Sequence, residues 1–133
     1  MTGRHIFHLA IPSHDLEEAE EFYVEGLGCE VGRIKDDRIT LDFFGDQVVC
    51  HKSSEDEIDD EPEMYPRHFG VTFVDEDDFD DVIDDAKEND LTFFQEPFKR
   101  FNGQKDEHRT FFLKDPSNNL LEFKWYKNES QMY

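Results

Sequence analysis

Three histidines and one glutamate each interrupt a run of residues that otherwise favours buried β-strand. His8 lies in FHLAIPS, His51 in QVVCHK, His68 in RHFGVTF and Glu122 in LLEFK. The spacing couples them in pairs: His8 and His68 stand 60 residues apart, and His51 and Glu122 stand 71 apart. The excess of 11 fits a longer loop in the second half, around residues 97–106. A lone histidine on a strand is ordinarily a hydrogen-bonded core residue, and a lone glutamate beside aromatics ordinarily faces water. Four such residues at two matched offsets read instead as ligands of one divalent metal ion. Three neutral imidazoles and a carboxylate on M²⁺ leave a centre of charge about +1, suited to a bidentate oxyanion such as a catecholate or enediolate. An octahedral ion held this way keeps two positions open for it. Fe(II), Zn, Ni, Co and Mn are the ions that such a donor set takes.

The elements that carry these residues repeat. With His8 set against His68, Asp15 falls on Asp75, and Ala19, Phe22 and Tyr23 fall on Phe79, Val82 and Ile83. A strand, a helix cap and an apolar stripe recurring at one offset mark an internal duplication. In the first half the pattern predicts a strand over residues 5–11, then a helix of about three turns capped by Asp15 and ended by Gly26 and Gly28. Strands over 29–34, 38–44 and 47–52 follow, the last two joined by a turn at Gly45-Asp46. Residues 53–66, rich in carboxylates and with two prolines, read as a linker. The second half predicts a strand over 67–74, a helix over 76–88, and a strand near 91–95. A loop over 97–106, a strand over 108–114, a turn at 115–119 and a strand over 119–126 complete it. Each half is therefore βαβββ, with modules at about 1–56 and 64–128 of a single domain spanning 1–133. The expected class is α+β: a curved, eight-stranded mixed sheet, helices outside, and a concave face on which the four residues converge. A lone sheet of that kind exposes edges that pairing would cover, which predicts a homodimer.

The chain has 133 residues and a net charge of −20, from 34 acidic against 14 basic residues. So acidic a surface repels polyanions and excludes nucleic acid and anionic membranes as partners. The sequence holds no apolar run of membrane-spanning length and no leader pattern, so the expected location is cytoplasmic. Cys29 and Cys50 have no CxxC spacing and read as reduced, buried residues. Fourteen phenylalanines concentrate the apolar content in large side chains, most of them core.

The duplicated βαβββ pattern and the segments FHLAIPSHDLEEAEEFYVEGLGCEVG, RITLDFFGDQVVCHK, RHFGVTF and FFLKDPSNNLLEFKWY resemble the vicinal oxygen chelate superfamily, with DPSNNLLEF as the most specific piece. That superfamily contains glyoxalase I, type I extradiol dioxygenases, fosfomycin-resistance proteins and bleomycin-binding proteins. The resemblance implies metal ligands on the first and last strands of each module, here His8, His51, His68 and Glu122, brought together either within one chain or across a dimer. Glyoxalase I-like members usually carry glutamate where His51 stands, and extradiol dioxygenases use two histidines and one carboxylate. That triad transfers to His8, His68 and Glu122, leaving His51 as a fourth ligand or an adjacent acid/base. Tyr65, Arg67, Arg109 and Tyr126 are the candidate polar groups of the pocket, and His51, Tyr65 and Arg109 the candidate catalytic groups. The implied function is a metal-dependent enzyme, dioxygenase-like, acting on a small catechol-like substrate. A glyoxalase-type isomerase or lyase, and a non-enzymatic binding or resistance protein, are the alternatives.

Overall fold

In the computed structural model, which describes residues 3–133, hydrogen bonding divides eight strands into two four-stranded mixed sheets. The first sheet holds β1 (His8–Ser13), β2 (Glu30–Lys35), β3 (Arg38–Phe43) and β4 (Asp46–Lys52) in the order β1-β4-β3-β2. The second holds β5 (Phe69–Phe73), β6 (Thr92–Arg100), β7 (His108–Lys114) and β8 (Leu120–Tyr126) in the order β5-β8-β7-β6. In each sheet the first strand of a half pairs in parallel with the last, and the other pairings are antiparallel. The two βαβββ units of the sequence are thus visible as two sheets of identical topology.

Local chemistry accounts for the elements between the strands. The Asp15 carboxylate accepts from the backbone N–H groups of Glu17 and Glu18, opening α1 (Leu16–Glu20), which runs on into a π-helical segment, Glu21–Gly26. Asp75 does the same for α2 (Glu76–Glu88) through the Asp77 N–H. The β3–β4 hairpin turns on Phe44 (φ 53°) and Gly45 (φ 96°), one residue earlier than the Gly45-Asp46 expected. Two positive φ values in a two-residue loop match the twist of the flanking strands. Strand β6 runs through Pro97 to Arg100 instead of ending near residue 95. Its ladder slips between Gln95 and Phe98, so a residue without an N–H is accommodated on an edge strand. The acidic linker contains one short 3₁₀ turn, Glu55–Glu57, closed by a reciprocal Ser54–Glu57 capping box.

Side-chain alternation and register settle which faces meet. On the first sheet Ile11, Ile39, Leu41, Phe43, Val48 and Cys50 share one face, which packs on Ala19, Phe22 and Tyr23. On the second, Phe69, Val71, Phe111, Leu113, Leu121 and Phe123 share one face, against Phe79, Val82 and Ile83 of α2. These two faces join in a single core. Phe43 touches Tyr23 (6.3 Å between ring centroids) and, from the other half, Phe69 (5.5 Å) and Phe123 (6.4 Å). The opposite, more polar faces of the two sheets therefore look away from each other.

A second tie crosses the halves at the turn over residues 115–119. Asp115 is buried, and its carboxylate accepts from the Tyr23 hydroxyl (2.7 Å), the Asn119 amide and the N–H groups of Ser117 and Asn119. Burial raises the Asp115 carboxyl above its ordinary range, against the lowering by those hydrogen bonds. Asn119 also donates to the Pro12 carbonyl, and the His14 N–H to Ser117 Oγ. Replacing Tyr23 with Phe removes one donor from a buried carboxylate. The expected cost is about 2 kcal/mol, read as a lower urea midpoint at unchanged slope.

Candidate metal centre

His68 precedes β5, and Glu122 sits in mid β8, beside Gly70 of β5 in the ladder. His68 Nε2 lies 3.1 Å from Glu122 Oε1. The other ring nitrogen, Nδ1, is 2.6 Å from the Met64 carbonyl oxygen. A carbonyl can only accept, so Nδ1 carries the proton, and in the neutral ring Nε2 is a bare lone pair facing a carboxylate oxygen. Two acceptors at that distance need a proton on Nε2 or a cation shared between them. The second carboxylate oxygen is fixed by the Thr110 hydroxyl at 2.5 Å. A histidine oriented through its far nitrogen and a carboxylate held by a neighbouring donor are the outer-shell features of metal ligands. The donor set of these two residues fits a divalent ion, of which they could be two ligands.

His8 opens β1 on the outward polar face of the other sheet and is exposed. Its Nδ1 lies 2.6 Å from Gln47 Oε1, so its Nε2 is likewise free, here toward solvent. His51 is on that same face but pairs with Pro12, four positions along β1 from His8, or roughly 13 Å away. Neither reaches the His68–Glu122 pair. Among the described residues no group of three or more His, Cys, Asp or Glu side chains could hold a metal ion. Of the two arrangements the sequence allowed, within one chain or across a dimer, the first is not formed among the described residues, because the two outward faces diverge.

The candidate catalytic groups divide as well. Tyr65 stands beside the pair, its ring 5.7 Å from that of His68, and its hydroxyl accepts from Arg100 Nη2 at 3.0 Å. Arg109 is one residue out of phase with Thr110 and points to the opposite face. There it forms ion pairs with Glu76 (3.0 Å) and Asp80 (2.8 Å) of α2 and lies over the Phe79 ring. It is a structural cation and leaves the catalytic set, as His51 does by its distance. Arg67 is exposed at the end of the linker. His108, buried, donates Nδ1–H to the Asp106 carbonyl, and its ring lies tilted 4.6 Å from that of Tyr126. His5 lies exposed, whereas His14 is part-buried and tied to Ser117 and Glu18.

Thr110, Lys124 and Arg100 are polar residues on the same face as the pair that residue type alone did not single out. The signal for the first two was present: counting outward from the 115–119 turn places Thr110 opposite Lys124, and diagonal to Glu122. Beside the pair, a cavity of about 440 Å³ is lined by Leu9, Pro12, Tyr65, His68 and Asn119. It reaches His68 but not Glu122, so it flanks the polar face instead of lying on it. Both cysteines are buried thiols pushed up to about 12 by burial, and neither takes part.

Comparison with known proteins gives a consistent result. The model of the Glyoxalase/Bleomycin resistance protein/Dioxygenase superfamily matches residues 5–123. The crystal structure of a glyoxalase/bleomycin resistance protein/dioxygenase from Alicyclobacillus acidocaldarius is 54% identical, covers the whole of both chains and superposes with a TM-score of 0.93. The glyoxalase domain-containing protein RDO1 of Mycosarcoma maydis is 26% identical over 128 residues, 96% of this chain and 72% of that one. The fosfomycin resistance protein FosX of Listeria monocytogenes shares the fold, at 15% identity and a TM-score of 0.73 over 98% of this chain and all of that one.

Proposed function

The chain belongs to the glyoxalase/bleomycin resistance protein/dioxygenase superfamily, and from that premise we propose that it is a metal-dependent enzyme acting on a small substrate with two adjacent oxygens. The single observation behind this reading is the Nε2 of His68, on a ring tied by Nδ1 to the Met64 carbonyl, set 3.1 Å from Glu122 Oε1. His68 and Glu122 hold the ion, and His8 of the partner subunit completes a triad of two histidines and a carboxylate. Divergent polar faces within one protomer make a second copy the source of that third ligand, and the exposed His8 is available to it. Such a triad with open positions suits Fe(II) and oxygen chemistry, so oxygen-dependent cleavage of a catechol-like substrate is the reaction we assign.

When bound, the ion would draw the two substrate oxygens toward it and lower their pKa. The protein's own groups supply the rest. Thr110 holds the carboxylate in one rotamer, and the Met64 carbonyl holds the His68 ring in one tautomer. The buried Phe112 ring, 5.2 Å from that of His68, excludes water from one flank.

Metal content and oligomeric mass test this together. Anaerobic loading should give one Fe(II) per chain, in a particle of twice 15.8 kDa, with oxygen uptake on adding a catechol. Turnover without oxygen, with Ni²⁺ or Zn²⁺ on a hemithioacetal, would transfer the assignment to an isomerase or lyase. A monomer that binds no metal would overturn it.

A further inference from the structure

Strands β5, β7 and β8 contain one carboxylate, Glu122, in a chain that has 34 acidic residues. What surrounds that carboxylate is cationic. Lys124 lies two residues along β8 on the same face, about 7 Å from Glu122 between Cα atoms. Its Nζ is 3.4 Å from the Tyr126 hydroxyl. Arg100 of β6 pairs in register with His108, and His108 pairs with Tyr126, so Arg100 closes the same row from the far strand. Through Tyr65 it returns to His68.

Both cations are half-buried, and both are without a carboxylate. The ion pairs among the described residues involve His14, Arg38, His68 and Arg109 only. At a net charge of −20, cations that hold neutral phenols in place of carboxylates leave their own charge uncompensated. A cupped face carrying that charge focuses field on anions, while the rest of the surface repels them.

Resting on the metal-enzyme reading above, we propose that Lys124 and Arg100, with the Tyr126 and Tyr65 hydroxyls, form an oxyanion subsite. The substrate carries a carboxylate- or phosphate-type group on the Lys124 side of the oxygens held at His68 and Glu122. Guanidinium and ammonium groups bind such oxyanions through charge-assisted hydrogen bonds, stronger than neutral ones.

Full-length protein loaded with metal is titrated calorimetrically with 3,4-dihydroxybenzoate and with 4-methylcatechol. The acid is expected to bind about tenfold more tightly. Lys124→Met and Arg100→Met should each erase that preference while leaving metal content and the affinity for 4-methylcatechol unchanged. A separate arm titrates inorganic phosphate into the metal-free full chain and follows amide shifts at residues 100, 124 and 126. Shifts there that disappear in both variants support the subsite even if the protein proves to take up no metal, so failure of the metal reading remains distinguishable. Shifts in that arm without a preference for the dihydroxybenzoate identify a phosphate-type group as the anion. Equal affinity for the two catechols together with phosphate shifts absent or unaffected by the variants overturns the proposal.

Discussion

Glu122→Gln is expected to lower divalent-metal affinity by at least about 100-fold, since loss of an outer-shell partner alone costs 10–100-fold. The substitution preserves shape and removes charge. Thr110 can donate to the amide oxygen or accept from the amide nitrogen, so the side chain keeps its place in the sheet. Facing His68 Nε2, the amide presents either an oxygen with no charge or an N–H that satisfies the ring nitrogen outright. In the second orientation the lone pair that would hold the ion is capped by a hydrogen bond inside the protein. The requirement for a cation between His68 and residue 122 then vanishes. Metal analysis after dialysis, beside a urea melt showing the variant folded, reads the result. A variant retaining full metal content would remove Glu122 from the ligand set.

Gly70→Ala is the second large effect, and it acts through the backbone. A Cβ at residue 70 would stand 1.7 Å from the Glu122 carbonyl oxygen, 2.6 Å from its carbonyl carbon and 2.9 Å from its nitrogen. All three atoms belong to the partner strand of the β5–β8 ladder, so no side chain can swing aside. The two strands must separate, and the separation falls at the residue that would carry the metal. Expected are a stability loss at the upper end of the roughly 1–3 kcal/mol of overpacked sites, or beyond it, and weaker metal binding. Gly32→Ala is the natural contrast, because the nearest atom to its added Cβ is 3.4 Å away. Chemical denaturation of both variants, with metal titration, checks the pair; a Gly70→Ala protein as stable as Gly32→Ala would contradict the argument.

Much of this site was readable before any coordinates. Matched spacing of His8 and His68 marked two equivalent strands, and the capping aspartates at Asp15 and Asp75 fixed where each helix starts. Alternation says which residues share a face of one sheet, but not which face of that sheet meets the other. That information lies in contacts such as Phe43 with Phe69 and Phe123, which have no local signature. For this reason the sequence left open whether His8 and His51 meet His68 and Glu122 within one chain or across a dimer, and in one chain they do not meet. Arg109 failed on parity: one step along the strand separates a residue facing α2 from Thr110, facing Glu122. The extension of β6 past Pro97 was hidden because proline ordinarily ends a ladder, and only the register slip beside it permits the strand to continue.

The merging of both halves into one core also bears on how the molecule comes into being. A nascent chain that has emerged only as far as Lys52 contains the residues of its first sheet and first helix, yet Phe43 lacks Phe69 and Phe123, and Tyr23 lacks Asp115. Duplication left two look-alike halves that cannot be born separately. The leading half must wait, greasy side uncovered, until the last hairpin leaves the ribosome, and a stop codon anywhere before that hairpin strands it there.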